Sequence, residues 1–360
     1  MPTSPFVLSR RGYNVEAGGV QRTFSSLTDA VAAVRSGSTV VGALPFDVTD
    51  PVALVEPTSL VRTDGPWRAE ERTQLPEVHI GEQVPASDMH VERVRALVDS
   101  LRRGTAQKVV LARSLRLQAD AAIAPLALLD ALVGADPLGN GYAVDLSAAG
   151  GEHTGRYLVG SSPELLVRRH GSIVSCHPFA GTAARSADPA IDAVIAEQLA
   201  ASAKDQAEHR FVVDEIKAAL EPLCTDIEVP ATPQLSSTPQ LWHLSSPITG
   251  VLRDPGTTAL DLALALHPTA AVAGVPRMAA MAAISRIEGP RGFYAGAVGW
   301  TDGSGDGEWM VAIRCLVLAA DGRSALATAG GGIVEASDPD AELAETTAKF
   351  RTVLAALGLA

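Results

Sequence analysis

Three short stretches concentrate the side chains that could do chemistry. "GGGIVEASDPDAELAETTAKF" (330–350) places three glycines ahead of an acid-rich segment that closes on a lysine. "KDQAEHRFVVDEI" (204–216) carries Glu208 four and eight residues before Val212 and Ile216. "QKVVLARSLRL" (107–117) starts a β-branched run beside Lys108. Lysine occurs only at Lys108, Lys204, Lys217 and Lys349, and arginine supplies the remaining positive charge. Lysine gives up its proton within reach of neutral pH and arginine does not, so each lysine is a candidate base or exchangeable charge partner. Glu164 in "GSSPELLVRR" and His267 in "LALALHPTAAVAGVP" complete the set.

Each stretch admits a plain reading and a sharper one. Lys204 and Glu208 stand at i, i+4, the spacing of an ordinary surface ion pair, and so do Glu345 and Lys349. Yet Glu208 also falls on the stripe that Val212 and Ile216 mark as buried, with Asp205 one turn earlier, and a buried carboxylate needs a partner or a metal. Asp338-Pro339 is a good helix start, so Glu342, Glu345 and Lys349 share one helix face and favour the dipole. The glycines before it bring backbone close to an anion, although no GK[ST] follows as a P-loop requires.

The elements that must position these groups read as α+β. Helical periodicity is clearest over 88–104, 188–220, 274–289 and 338–358. Strand-like runs include "TVVGALPF", "KVVLARSL", "GYAVDLSA", "RYLVGS", "ELLVRR", "SIVSCHP", "GFYAGAVGW", "WMVAIRCLVL" and "SALATAGGG". The C-terminal strands follow one another through Asp302-Gly303 and Asp321-Gly322, which predicts an antiparallel meander. Pro- and Ser/Thr-containing stretches at 55–78 and 229–240 read as loops or short strands, and no internal repeat of solenoid length is present.

Composition narrows the function classes. The chain has 360 residues, 47% hydrophobic, enough for a sizeable core. A net charge of -12 with no basic stripe argues against nucleic acid. No apolar run approaches the ~20 residues of a membrane span, and the N-terminal "MPTSPFVLSRRGYNV" lacks the apolar centre of a signal peptide. Cys176, Cys224 and Cys315 are odd in number and scattered, as in a reducing cytoplasm, with neither disulfides nor zinc.

In order and wording these segments resemble the chorismate-utilising enzymes, most closely the isochorismate synthases. The matching pieces are "KVVLAR" (108–113), "GSSPELLVRR" (160–169), "HPFAGTAAR" (177–185), "KDQAEHRFVV" (204–213), "TPQLWHLSSPITG" (238–250), "HPTAAVAGVP" (267–276), "GFYAGAVGW" (292–300), "MVAIRC" (310–315) and "AGGGIVEASDPDAELAETTAK" (329–349). They span roughly residues 40–358 and are densest after 100; residues 1–40 have no comparable match. The resemblance implies a single chorismate-binding catalytic domain over 1–360, with 1–100 its N-terminal part and 100–358 its motif-bearing part. It also implies large, mainly antiparallel sheets packed together with helices outside.

The resemblance implies Mg2+-dependent addition of water to C2 of chorismate with loss of the C4 hydroxyl. It gives Lys108 as the base on the water and Glu164 as the acid for the departing hydroxyl. Glu208 and Glu345 are the implied Mg2+ ligands, with Asp205 and Glu342 behind them. Arg314 and the backbone of Gly330 and Gly331 are the implied carboxylate binders, and Gly181, Thr182, His267 and Lys349 line the site. A lysine base has to be neutral, about three pH units below the reference of about 10.4, which burial or a neighbouring cation supplies and arginine could not. Relatives that transfer ammonia lack this lysine, and "HPTAAVAGVP" differs from their "HPxGSxxGxPK". Two alternatives remain: a salicylate synthase, which also eliminates pyruvate, and a catalytically silent chorismate-binding subunit. The family precedent is a monomer, cysteine usage places the chain in the cytoplasm, and the sequence leaves open whether the product feeds siderophore, menaquinone or salicylate synthesis.

Overall fold

Period-two alternation sets the layers. Phe6 and Leu8 point into one apolar core while Val7 between them points into another. Val144 and Ala143, and Leu158 and Val159, divide in the same way. These strands belong to a ten-stranded sheet with a core on each face. One core is shared with a nine-stranded sheet, whose Val41, Ala43, Val298 and Met310 enter it. The other lies under the helices Pro125–Ala135 and Pro339–Ala356, through Leu128, Leu132, Phe350 and Val353. The computed structural model describes residues 4–71 and 73–359. The first residues of the N-terminal segment and Arg72 of the 55–78 stretch lie outside the described residues.

The ten-stranded sheet holds the chemistry. Its strand Lys108–Ala119 pairs antiparallel with Ser324–Ile333 along ten residues, Gly330 opposite Ala112 and Gly332 opposite Val110. Next in order come Cys315–Leu318, Tyr157–Gly160, Gly141–Asp145 and the N-terminal strands Phe6–Ser9 and Tyr13–Gly18. A three-stranded sheet, Phe179–Ala184, Leu241–Ser245 and Gln234–Ser237, packs against the helices Pro189–Ala201 and Ala203–Leu220. The observed pairings are antiparallel, and strands in runs with helices outside make the fold α+β.

Two sequence expectations need correction. The helical period over 188–220 is broken at Ser202, whose extended backbone ends one helix and whose hydroxyl accepts the Asp205 N–H to start the next. Serine outcompetes the continuous helix there because its side chain satisfies an otherwise unpaired first-turn donor. The C-terminal meander is two hairpins in two different sheets. Ala297–Thr301 pairs with Gly307–Val311 in the nine-stranded sheet, and Cys315–Leu318 with Ser324–Ile333 in the ten-stranded one. The chain crosses between them at 312–314, where Arg314 adopts φ 53°, rare for a residue with a β-carbon.

Candidate active site

The strand Ser324–Ile333 runs its glycines past the end of its neighbour. Cys315–Leu318 pairs with it only as far as Thr328, so from Ala329 onward one edge is open. The carbonyl of Gly330 accepts from Lys349 Nζ at 2.8 Å and therefore faces that open edge. In an antiparallel strand the N–H and C=O of one residue point the same way, so the Gly330 N–H faces the edge too. The glycines are regular strand, as the run "SALATAGGG" predicts. Their missing side chains leave room for others. A β-carbon on Gly332 would lie 2.2 Å from Glu208 Oε1 and 2.8 Å from Lys108 Cε. One on Gly331 would lie 2.9 Å from Glu342 Oε2 and 3.6 Å from Glu345 Oε1.

Carboxylates reach this strand from two helices. Glu208, His209, Val212 and Ile216 are the buried stripe of Ala203–Leu220, as the spacing predicts. Pro339–Ala356 starts at Asp338, whose side chain accepts the Ala341 N–H, and presents Glu342, Glu345 and Lys349. The ion pairs are largely not the local ones. Lys108 Nζ meets Glu208 Oε1 at 3.0 Å, and Lys108 is only 1% exposed. Lys204 skips Glu208 and meets Glu342 at 3.0 Å, while Lys349 and Glu345 keep their one-turn pair at 2.5 Å. Three of the four lysines are thus each assigned to one carboxylate. Burial pushes the Glu208 carboxyl up, but Lys108, then Lys349 and Lys204, hold it below its usual value. The Glu342 carboxyl goes the other way, to about 7, through burial and then the charge of Glu345.

A cavity of about 60 Å³ opens beside the glycine edge. Glu164, Gly181, Thr182, Glu208, His243, Tyr294, Arg314, Gly330, Glu345 and Lys349 line it. Glu164 is buried, and desolvation raises its carboxyl from 4.5 to about 7, only partly offset by the Phe179 backbone and by Lys108, Arg314 and Lys349. Burial lowers the Arg314 guanidinium to about 10. Its Nη2 donates to His243 Nε2 at 3.3 Å, and its buried Nη1 has no partner among the described residues. Because arginine only donates, His243 Nε2 must be the acceptor, which puts the ring proton on Nδ1, 3.0 Å from Thr182 Oγ1. Burial, then the charge of Arg314, keeps this imidazole neutral. Gly181 has φ 79°, and a β-carbon there would lie 3.0 Å from Asp205 Cβ. Asp205 itself is tied to the Ser202 hydroxyl.

Most residues expected at the site are therefore together, with differences in depth. Lys108 stands one layer behind the wall that Glu208 and Gly332 form. Gly331, Glu342 and Asp205 back the lining residues. His267 is not at the cavity: its Nε2 bonds the carbonyls of Pro45 and Phe46 at 3.0 and 3.2 Å, and only the loop beyond it reaches the site, through Ala271 and Val272. His243 and Tyr294 face the cavity without having been singled out. Both lie inside segments quoted above, "WHLSSP" and "GFYAGAVGW", but local spacing gives neither a partner.

The donor set suits a hard divalent cation. Glu208 and Glu345 bring carboxylate oxygens to the cavity wall, Gly332 and Gly331 leave them room, and Glu342 Oε2 is buried without a partner among the described residues. The tightest His/carboxylate cluster among the described residues lies elsewhere. Glu77, His79 and Asp120 are exposed at the far end of the Lys108–Ala119 strand, where such groups commonly stand without an ion. A wider groove of about 880 Å³, lined by residues such as Arg116, His153 and Phe293, holds none of the carboxylates or lysines above. The buried carboxylates, lysine and guanidinium gather at the smaller cavity.

A fold of two antiparallel sheets, with acid, amine and guanidinium gathered at their junction, defines an enzyme acting on a small anion. The chain belongs to the chorismate binding enzyme family, whose family model matches residues 59–358. It is 52% identical over 366 residues to a Mycobacterium tuberculosis protein that carries the name MenF, covering 99% of this chain and 97% of that protein. It is 43% identical over 342 residues to the isochorismate synthase DhbC of Bacillus subtilis, covering 94% and 85%. Its fold is similar to the crystal structure of a DhbC from Bacillus anthracis, with a TM-score of 0.90, 36% identity and coverage of 99% and 96%. Among the described residues, no helix is long and apolar enough to cross a membrane.

Proposed function

We infer that this chain is an isochorismate synthase, adding water to C2 of chorismate and expelling the C4 hydroxyl. The observation that carries the reading is a buried carboxyl, Glu164, raised to about 7, facing a cavity whose wall hides a buried amine, Lys108. A carboxyl so placed is still partly protonated at neutral pH and able to donate.

Lys108, in its neutral form once Glu208 turns away from it, takes a proton from the attacking water as its oxygen bonds to C2. Glu164 gives its proton to the C4 oxygen as that bond breaks and the ring double bonds shift. One water is consumed and one released, and returning the proton from Lys108 to Glu164 resets both groups. Arg314 Nη1 and the Gly330 N–H are the free donors for substrate carboxylates, and His243, kept neutral, holds Arg314 in place. Glu208 and Glu345 would hold Mg2+, with Glu342 and Asp205 behind them, and the cation would neutralise the ring carboxylate of a dianion in a protein of net charge -12. Glu208 and Glu345 are each paired with a lysine. We read the whole chain as one catalytic unit, because strands from both ends of it share the ten-stranded sheet.

The test is incubation with chorismate and Mg2+ and chromatographic separation of products. Isochorismate supports the reading, salicylate plus pyruvate moves it to salicylate synthase, and binding without turnover makes the chain a silent subunit. A Lys108→Ala variant with full activity would refute the base.

A further inference from the structure

Arg113 lies in the strand that begins at Lys108, directly opposite Ala329 where the glycines start. Its buried side chain spends its donors on the C-terminal helix. Nε donates to Thr346 Oγ1 at 2.8 Å, and Nη2 to Thr347 Oγ1 at 2.5 Å and to the Leu343 carbonyl at 3.5 Å. Both threonine hydroxyls donate to the Leu343 carbonyl, so their oxygens are turned to accept from the arginine. The guanidinium also lies 5.1 Å over the Phe350 ring. Its last arm, Nη1, reaches Gln83 Oε1 at 3.2 Å, and Gln83 accepts the Ser87 hydroxyl at the start of the helix Ser87–Arg102.

At ~100° per residue, Leu343, Thr346, Thr347 and Phe350 form the helix face adjoining that of Glu342, Glu345 and Lys349. Holding one face fixes the roll of the helix and therefore where the other face points. The choice of residue agrees with this. Lysines meet Glu208, Glu342 and Glu345, whereas a planar five-donor fork, which lysine cannot imitate, meets the face that has to stay still.

We propose that Arg113 is a positioning residue that sets the roll of the C-terminal helix and so holds Glu345 and Glu342 at the geometry a divalent cation requires. The proposal rests on the reading of Glu208 and Glu345 as cation ligands. The experiment is calorimetric titration of Mg2+ into the purified full chain as wild type, Arg113→Lys and Arg113→Met, with a melting curve of each. The expected result is a Kd for Mg2+ raised about 10- to 100-fold in both variants, the range typical of losing a group that orients a metal ligand. Lysine should fail to rescue because it restores charge without the fork. Should the arginine variants not fold, the Thr346→Val/Thr347→Val double variant removes the acceptors, keeps Arg113 and should show the same shift. Unchanged Mg2+ affinity with a lowered melting temperature would overturn the proposal, leaving Arg113 a structural brace. Absence of Mg2+ binding in the wild type would overturn the cation reading itself, and with it this proposal.

Discussion

Gly332→Ala isolates the role of the glycine strand. The added methyl would sit 2.2 Å from Glu208 Oε1 and 2.8 Å from Lys108 Cε, where ordinary contact begins at 3.4 Å. Gly332 has no positive φ, so alanine suits the backbone and lowers the entropy of the unfolded chain, worth about 0.4–1 kcal/mol in favour of the fold. The atom that must give way is the end of a flexible side chain, so folding stability should change by less than about 1 kcal/mol. Catalysis should suffer more, because the carboxylate has to retreat by over 1 Å, and a misplacement of about 1 Å costs about 10²-fold. The assay is steady-state isochorismate formation across Mg2+ concentrations, beside a melting curve. We expect kcat/KM about 10²-fold lower, a raised Mg2+ requirement and a nearly unchanged melting temperature. Gly331→Ala, with its nearest atom 2.9 Å away on Glu342, should be milder. If Gly332→Ala kept kcat/KM within threefold of wild type, the argument from close approach would be wrong.

Two further outcomes follow from buried charge. Glu164→Gln should lower kcat about 10²- to 10⁴-fold, the usual worth of a positioned acid, and wild-type kcat/KM should itself decline above about pH 7 as the donating form is lost. The stability sign runs the same way: a carboxyl raised from 4.5 to about 7 weighs nothing against the fold below pH 4.5 and costs up to about 3 kcal/mol above pH 7, so denaturant titrations should show the glutamine variant gaining on wild type from pH 5 to 8, and parallel curves would contradict the burial argument. Arg314→Lys should raise KM for chorismate about 10- to 100-fold with a smaller change in kcat, since a charge-assisted hydrogen bond contributes about 1.5–3 kcal/mol; a KM equal to wild type would remove Arg314 from carboxylate binding.

Local periodicity exposed those parts of the site that depend on one element. Glu208 on the Val212 and Ile216 stripe, and the helix start at Asp338-Pro339, needed only the spacing of their own helices. What depends on distant elements was hidden. Lys204 faces Glu208 one turn away in sequence, yet bonds Glu342, 138 residues on, because the two helices converge on one strand. The run "WMVAIRCLVL" looks continuous, and nothing local says that it changes sheets at Arg314. His243 has no sequence neighbour that announces Arg314. The roles came from family resemblance, which also brought in His267, a residue whose imidazole turns out to serve the backbone at Pro45 and Phe46.

The three lysine–carboxylate pairs bear on how such an enzyme is made. Glu208, Glu342 and Glu345 converge on one strand, and each already has an ammonium group of the same chain against it. A newly synthesised chain therefore carries its own counter-ions into the folded state and is not obliged to wait for a cation before its interior closes. Arginine forks in those places would have sealed the carboxylates in fixed two-bond grips. Single ammonium groups on flexible stems leave them exchangeable, so on the proposed cation reading maturation would be a late swap of partners inside a finished protein.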